Sequence, residues 1–336
     1  MTRLLLHAVT LVALAAAVPV FGQVGDRGQQ LYPVVNDGKW GYVDHAGKMV
    51  VNCTFEKAEP FLNGMAPVEQ DGKWGYINGG GTLAINPQFD EASNFYEGLA
   101  RVYKKEGLSG KYGFVNEKGQ LVIGFTYKQA GNFSHELARV EADGKWGYID
   151  KSGRTAIPPQ FEEAADFSGG LARVKSAGKY GYIDPSGKLK ISPQYSECGH
   201  FNEGLAPVEV DRKWGYIDET GKTVIQPQFD AAETFSDSVG RVKIGGRYGF
   251  VDKSGKLAVN PRFDDAHDFC EGLAAVRENG KWGYIDHQGQ FAIDARFDDA
   301  GNFNHGVAEV RVGALKSSGK LGWIDKSGRY LWGPSA

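Results

Sequence analysis

The sequence predicts an all-β fold, a tandem array of nine three-stranded β-meander units that stack as an open superhelical solenoid. Three observations predict this fold class. A Gly-Lys-Trp-Gly tetrad, first present at residues 38–41, recurs along the chain. Asp-Gly or Asn-Gly pairs open several of its copies and are typical of tight β-hairpin turns. The 47 glycines and 12% aromatic residues also favour strands and turns over helices.

The tetrad has a regular period, which is the mark of a repeat architecture. The spacings between successive copies are 34, 38, 34, 34, 34, 34, 34 and 39 residues. Its basic residue falls at nine positions: Lys39, Lys73, Lys111, Lys145, Lys179, Lys213, Arg247, Lys281 and Lys320.

One unit, residues 205–231, shows how each copy is expected to fold. A first strand at 205–210 leads through a tight turn into a second strand at 213–217. The segment Asp218-Glu219-Thr220-Gly221 then predicts a second hairpin turn, because Asp bonds the backbone ahead of it and Gly adopts positive φ. A third strand at 222–225 completes the meander. A connector of about a dozen residues follows, and whether it forms a strand or a helical turn is left open.

The second strand indicates that both faces of each unit are buried. Its first aromatic slot is aromatic in eight of nine copies, failing only at Leu321, and its second slot is aromatic in all nine. A Gly always separates the two slots, which predicts close approach of a neighbouring backbone at that point. A lone three-stranded meander is marginally stable, so we expect the units to stack on one another.

These motifs resemble the WG (KWG) repeat family. The tetrads Gly72–Gly75, Gly144–Gly147 and Gly280–Gly283, with the Phe-x-x-Gly-Leu-Ala segments 95–100 and 269–274, carry the resemblance over about residues 31–332. It implies a bacterial-type β repeat protein without catalytic residues to transfer. Four copies depart from Trp in the first slot, at Tyr112, Tyr180, Tyr248 and Leu321, and the last departure suggests that unit nine is a terminal cap.

The alternative to an open solenoid is a closed, propeller-like ring. The first strand belongs to residues 31–35 and the last to residues 328–332, so each unit is complete without borrowing a strand from the other end. Because no obvious closing strand exists, the sequence favours the open form.

The amino-terminal residues predict export. Arg3 is followed by an apolar run from Leu4 to Val20, which is typical of a signal peptide cleaved near Gly22. The expected organisation is a signal peptide at 1–22, a linker at 23–30 and the repeat array at 31–336. The mature chain is expected to be secreted or periplasmic, monomeric and without a membrane span, and an uncleaved anchor is the alternative for the apolar run.

Composition and motifs argue against several function classes. The net charge of −3 favours neither nucleic acid nor a membrane surface. The seven histidines and three cysteines match no metal motif, and no cofactor is expected. Cys198 stands where other units usually have Ala, which indicates a small core residue.

The connector carboxylates are the candidates for catalysis. Pairs such as Asp264-Asp265 and Asp298-Asp299 repeat in successive units. A glycosidase needs two carboxylates in different environments, whereas a repeated ladder is typical of solvated turns. A calcium ladder is a further alternative. An Asp at the end of most second strands is explained by turn capping.

Arginine recurs in one slot of the first strand and supplies the candidate ligand-binding residues: Arg101, Arg139, Arg173 and Arg241. Stacking would align three consecutive copies into a basic stripe. The stripe predicts contact with an anionic polymer or an acidic protein surface, and ordinary solvated strand residues are the alternative.

Two insertions mark one edge of the array. Unit three gains four residues near Lys104–Gly107 and unit nine gains five near Gly313–Ser317. Both lengthen the same hairpin turn, so that edge is free of packing and favours binding. The leading hypothesis is a non-enzymatic extracytoplasmic binding or scaffold module for a protein or surface polymer. A glycan-active enzyme that uses the connector carboxylates and a purely structural repeat protein are the alternatives.

Overall fold

The computed structural model describes residues 30–313 and 320–333. The predicted signal peptide at 1–22 and all of the predicted linker except Gln30 lie outside these residues. Within them the chain forms 33 strands, arranged in nine separate antiparallel sheets, each following the previous one along the chain. Across the same residues there is no helix long and apolar enough to span a membrane.

Each sheet is called a blade and is numbered in chain order. Blades 1 to 3 contain β1 (Tyr32–Asn36), β2 (Lys39–Val43) and β3 (Met49–Phe55); β4 (Lys57–Ala58), β5 (Met65–Gln70), β6 (Lys73–Asn78) and β7 (Leu83–Phe89); and β8 (Glu91–Tyr96), β9 (Leu99–Glu106), β10 (Ser109–Asn116) and β11 (Leu121–Tyr127). Blades 4 to 6 contain β12 (Leu137–Ala142), β13 (Lys145–Asp150) and β14 (Thr155–Phe161); β15 (Glu163–Ala164), β16 (Ala172–Ser176), β17 (Lys179–Ile183) and β18 (Leu189–Tyr195); and β19 (Leu205–Val210), β20 (Lys213–Asp218) and β21 (Thr223–Phe229). Blades 7 to 9 contain β22 (Ala231–Ser236), β23 (Val239–Ile244), β24 (Arg247–Asp252) and β25 (Leu257–Phe263); β26 (Asp265–Ala266), β27 (Ala274–Glu278), β28 (Lys281–Ile285) and β29 (Phe291–Phe297); and β30 (Asp299–Ala300), β31 (Val307–Val312), β32 (Lys320–Asp325) and β33 (Tyr330–Trp332).

The connector contributes a short extra strand to six of the nine blades, so most blades have four strands rather than the predicted three. In blades 4 and 6 single bridges, Ala130 to Val140 and Cys198 to Val208, occupy the same place. The connector therefore forms a strand, which resolves the alternative that the sequence left open. It escaped prediction because several copies are only two residues long and carry no alternation of their own.

The invariant Gly of the second strand permits a close approach of the third strand of the same blade. In blade 4, a Cβ atom on Gly147 would lie 2.5 Å from the carbonyl oxygen of Ile157 and 2.6 Å from the backbone nitrogen of Pro159. The register shifts between β13 and β14 at this point, which marks a β-bulge. The predicted close backbone approach is confirmed.

The hydrophobic core lies between blades rather than within them. The described residues form nine clusters of buried side chains, of which eight are each built from two successive blades. Between blades 4 and 5, for example, Tyr148 and Ile157 contact Phe167, Val174 and Ile183. Because each blade buries one face against each neighbour, the predicted stacking is confirmed.

In six blades the second aromatic of the second strand is a Tyr that also links its blade to the next through a hydrogen bond, whereas blades 3 and 7 have Phe114 and Phe250 there. The hydroxyl of Tyr148 donates to the carbonyl of Ala165 at 2.7 Å, seventeen residues ahead. The same bond over seventeen residues is made by five other tyrosines: Tyr42, Tyr76, Tyr182, Tyr216 and Tyr284. Burial raises the pKa of each of these hydroxyls well above its usual value, so they remain neutral donors at physiological pH.

The prediction of an open solenoid is wrong, because the nine blades close into a ring, a nine-bladed β-propeller. The ninth cluster joins the two ends of the array and contains Tyr32, Val34 and Val43 of blade 1 with Val307 and Trp323 of blade 9. Closure needs no borrowed strand, since every other pair of blades is also held together by side chains and not by strand exchange. The absence of a closing strand was therefore no argument for an open array.

Unit nine is not a terminal cap, because it forms an interface with blade 1. Its second aromatic is Trp323, which stands where six other blades have Tyr. The indole N–H donates instead to the carbonyl of Pro33 at 2.7 Å. The Tyr32 hydroxyl donates to the His305 carbonyl at 3.3 Å across the same junction, so blade 9 completes the ring.

Replacing Trp323 with Ala should open the ring, because it removes a buried aromatic and the donor to Pro33. We expect a loss of about 3–5 kcal/mol in the free energy of unfolding and a larger radius of gyration by small-angle X-ray scattering. Trp146→Ala is the matched control, since Trp146 is half-buried and lies far from the junction; its loss should be smaller and its ring intact. An unchanged radius for Trp323→Ala would contradict closure through this residue.

Candidate binding surface

The connector carboxylates hold neighbouring strands together. Asp90 pairs with Lys73 of the preceding tetrad at 2.5 Å and accepts a hydrogen bond from the backbone N–H of Lys105 in the next blade. These contacts, chiefly the bonds from Lys105 and Lys73, hold the pKa of Asp90 below its usual range. The second carboxylate of each connector pair also has hydrogen-bond partners. Glu163, for example, accepts hydrogen bonds from the Lys175 side chain and from the Tyr180 hydroxyl. These contacts give the carboxylate ladder a structural role.

The carboxylates at the ends of the second strands cap turns, as predicted. The Oδ1 atom of Asp150 accepts hydrogen bonds from the backbone N–H groups of Ser152 and Arg154 at 2.9 and 3.0 Å. The Ser152 hydroxyl donates to the same oxygen, and these bonds lower the pKa of Asp150 to about 2. Asp184, Asp218 and Asp252 repeat the arrangement.

Histidine and cysteine form no metal site in the part of the chain that the structure describes. Across residues 30–313 and 320–333, no group of three or more His, Cys, Asp or Glu residues is placed to hold a metal ion. Cys198 is buried within the core between blades 5 and 6, which confirms its prediction as a small core residue. All three cysteines are free thiols.

The four candidate arginines lie half-buried between blades. Each guanidinium donates to a carbonyl of the following blade and stacks near the first aromatic of its own tetrad. The acceptors of Arg101, Arg139, Arg173 and Arg241 are the carbonyls of Ala130, Ala164, Cys198 and Ala266, at 2.5–2.7 Å. The ring centroids of Tyr112, Trp146, Tyr180 and Tyr248 lie 5.0, 5.0, 5.0 and 5.6 Å from the four guanidinium groups.

Two of these arginines also form ion pairs between blades. Arg139 pairs with Asp166, and Arg241 pairs with Asp268, both at 2.8 Å. The Arg241 side chain is only 14% exposed. The slot therefore has a structural role between blades, which differs from the fully solvated strand residues considered from the sequence. Contact with an anionic partner stays a prediction for these four residues.

The insertion in unit three extends a hairpin beyond the body of its blade. Glu106 pairs with Ser109 across the tip, and the Leu108 side chain between them is fully exposed. The tip at residues 106–109 contributes nothing to the core clusters, so it is free of packing, as the sequence predicted, whereas Lys104 at its base lies over the Phe125 ring at 5.8 Å. The corresponding insertion in unit nine lies largely outside the described residues.

A surface that the sequence reading missed runs along the third strands, which form one edge of every blade. Of thirteen exposed large hydrophobic residues, nine occupy the first two positions of third strands. We call this surface the apolar edge: Met49, Val50, Leu83, Leu121, Val122, Leu189, Val224, Leu257 and Tyr330, each 36–50% exposed. Such concentration in one structural position distinguishes these residues from singly scattered surface hydrophobics.

The later half of the third strand is protected from pairing with another strand. Pro occupies its fifth position in blades 2, 4, 5, 6 and 7, where it removes a backbone donor. A partner that contacts the apolar edge therefore meets side chains rather than a long row of free backbone groups. The signal in the sequence was an apolar first residue in seven of nine third strands, with Thr155 and Thr223 as exceptions.

Comparison with known families identifies the repeat. The family described as WG containing repeat matches eight consecutive segments: residues 40–74, 74–107, 112–146, 146–180, 180–214, 214–248, 248–282 and 282–315. The chain belongs to the WG-repeat family. Each matched WG repeat starts in the second strand of one blade, and six of the eight end in the second strand of the next, so the repeats together run from blade 1 to blade 9.

Other comparisons give remote similarities. No curated protein sequence matches the chain. Among solved structures, PorZ, a bacterial surface component of the type-IX secretion system of Porphyromonas gingivalis, is 11% identical with a TM-score of 0.36; the match covers 90% of this chain and 44% of PorZ, so the chain spans less than half of that protein. Hsv2 of Kluyveromyces lactis is 7% identical, with 78% and 94% coverage and a TM-score of 0.43. The extracellular domain of BT4673 from B. thetaiotaomicron is 9% identical, with 90% and 58% coverage and a TM-score of 0.33.

Replacing Arg139 with Gln should destabilise the WG-repeat ring, because it removes the ion pair with Asp166 and the hydrogen bond to Ala164. We expect a loss of about 1–3 kcal/mol in the free energy of unfolding, measured by denaturant titration. Arg154→Gln is the matched control, since the side chain of Arg154 is 82% exposed and its ion pair with Asp150 contributes little. Equal stabilities of the two variants would show that the Arg139 slot is ordinary solvated surface.

Proposed function

We propose that this WG-repeat protein is a non-enzymatic extracytoplasmic binding or scaffold module whose partner is a protein. The apolar edge carries the proposal. Nine large apolar side chains are partly exposed to solvent at the start of third strands. Burying their exposed area against a partner would be favourable by roughly 25 cal/mol per Å² of apolar surface. Polysaccharides are polar, so this edge suits an apolar protein surface better than a surface polymer.

The contacts of the carboxylates support a binding role over a glycan-active enzyme. A general acid needs a carboxyl group that is not already committed to a structural partner. Asp298 pairs with Lys281 and accepts the Gly313 backbone N–H. Asp230 pairs with Lys213 and accepts the Gly245 N–H. These bonds, first among them those from the lysine side chains, lower the pKa of both carboxyls, which suits fixed anions and not proton donors.

Export follows from the amino-terminal segment, with cleavage near Gly22. The charged residue Arg3 and the apolar run after it support this part of the proposal. Amino-terminal sequencing of protein recovered from the periplasm or medium should begin near Gln23. Recovery of the chain with Met1 intact in the cytosolic fraction would contradict it.

The apolar edge is tested by a triple variant, Leu83→Ser, Leu121→Ser and Leu189→Ser. Exposed substitutions of this kind change stability by about 0.5 kcal/mol or less each, so folding should be retained. Cross-linking and quantitative mass spectrometry on cell-envelope extracts should identify a protein partner of the wild-type chain. Its affinity for the purified triple variant should fall at least about tenfold, which corresponds to about 1.4 kcal/mol.

The matched control replaces three exposed apolar residues that end first strands: Val210→Ser, Ile244→Ser and Val312→Ser. These residues are 36–40% exposed, slightly less than the 43–50% of the three edge residues, and lie beside the hairpin turns. The control should bind as the wild type does. Equal affinities for the two triple variants would refute the apolar edge, and specific binding of cell-envelope polysaccharide alone would refute a protein partner.

A further inference from the structure

The turn that leads into each first long strand is an anion-binding element, here called the leading turn. In blades 2 to 9 its two central residues both have positive φ. Such a conformation turns successive backbone N–H groups toward one side, where they can hold an anion together. The eight leading turns are Asn63–Gly64, Glu97–Gly98, His135–Glu136, Gly169–Gly170, Glu203–Gly204, Asp237–Ser238, Glu271–Gly272 and His305–Gly306.

Four leading turns already hold a carboxylate from the preceding blade. Glu97 accepts hydrogen bonds from the backbone N–H groups of His135 and Glu136 at 2.8 and 2.9 Å. Glu271 likewise accepts hydrogen bonds from the backbone N–H groups of His305 and Gly306 in the turn of blade 9, at 2.5 and 2.9 Å. The turns of blades 7 and 8 donate one backbone N–H each, from Ser238 to the carboxylate of Glu203 and from Gly272 to that of Asp237. The ligand of this element is therefore a side-chain carboxylate, from either Asp or Glu.

Two adjacent leading turns lack that carboxylate. At the position that supplies the carboxylate in the filled turns, the blades before 5 and 6 have His135 and Gly169, and neither residue has a carboxyl group. The backbone N–H groups of Gly169–Gly170 and Glu203–Gly204 consequently have no acceptor among the described residues. Gly169 and Glu203 are exposed, and Gly170 and Gly204 are partly so, so both turns are open to solvent. The leading turn of blade 3, after Asn63, also lacks a carboxylate, and the residue that would supply one to the turn of blade 2 lies outside the described residues.

The conformation of the open turns is the same as that of the filled ones. The φ angles of Gly169 and Gly170 are 57° and 81°, against 53° and 79° for His305 and Gly306, which hold Glu271. No rearrangement is needed to receive a carboxylate, so binding would cost little backbone entropy. The carboxylate of Glu203 itself is already bound by Ser238 and by Lys253 at 3.1 Å, which limits its repulsion of an incoming anion.

We propose that the open leading turns of blades 5 and 6 together bind two carboxylates of an acidic peptide segment in a partner protein. The proposal rests on the proposed function and names the chemistry of part of the partner. A peptide is the occupant because the four internal ligands are Asp and Glu side chains, and a partner needs only to present the same groups.

The test fills one open turn from within the chain. His135→Glu restores the carboxylate that precedes most filled turns, and positive φ is tolerated there because Glu97 has a φ of 50° at the same position. His135→Gln is the matched control, since it removes the imidazole without supplying a carboxylate. Thermal melting checks both variants, and we expect His135→Glu to melt at the same temperature as the wild type or higher.

The probe is a fluorescein-labelled peptide of alternating Glu and Gly, with a Gln-Gly peptide and an oligogalacturonate as comparisons. Amide resonances of Gly169, Gly170 and Gly204 should move in ¹⁵N NMR spectra when the acidic peptide binds the wild-type chain or His135→Gln. In His135→Glu the affinity should fall about tenfold, because one of the two charge-assisted contacts is already occupied. The Gln-Gly peptide should not bind.

Three outcomes would overturn the inference. In the first, the amide resonances of these glycines do not move when the acidic peptide is added. In the second, His135→Glu and the wild type bind the acidic peptide with equal affinity. In the third, the protein binds oligogalacturonate in preference to the acidic peptide. The partner captured in the apolar-edge experiment separates this failure from failure of the proposed function. If the edge variant releases the partner and His135→Glu does not, the open turns are not its site and the binding function stands. If no protein partner binds, the proposed function fails as well.

Discussion

The whole ring depends on the burial of the second tetrad aromatic against the next blade. Tyr148 is fully buried, yet its own blade supplies only one wall of its pocket. The other wall comes from Val174 and Ile183, and its hydroxyl finds its acceptor at Ala165. Burial of one such aromatic contributes about 1.5–3 kcal/mol, which no blade can obtain alone. Folding of one blade is thus coupled to folding of its neighbours.

The same constraint explains why the ring closes. An open array would leave one aromatic face and one glycine-containing face exposed at its two ends, and repeat proteins of that kind need polar caps. In the part of the chain that the structure describes, the two ends of the array instead pack against each other through Tyr32, Val34 and Trp323, which are apolar or aromatic. Trp323 stands where six other blades have Tyr, and its indole N–H reaches the carbonyl of Pro33 in blade 1.

Local chemistry could be predicted from the sequence because it depends on residues close together in the chain. Asp150 caps its turn and Gly147 admits the third strand through contacts within one unit. Closure could not be predicted, because it depends on how small rotations between blades accumulate over nine units. The short connector strands pair with residues about ten positions away and are too brief to show a period. The recurrence of Arg in the first strand was visible in the sequence. Its partial burial was not, because the guanidinium is held by a carbonyl of the following blade, as Arg173 is held by the carbonyl of Cys198.

Positions where the blades differ carry more information about a partner than positions where they agree. Identical residues, such as the tetrad Gly, are fixed by contacts that every blade must make. If packing determined the residue that fills the leading turns, that position would have the same residue in every blade. Instead it varies, with Glu97, His135, Gly169 and Asp237 in four of the blades. Where it is acidic, the carboxylate bonds the next blade; where it is not, the ring remains closed because the aromatic core still joins the blades. Stability therefore does not require the slot to be filled, and its open copies at blades 5 and 6 leave two preformed carboxylate sites side by side on one face of the ring.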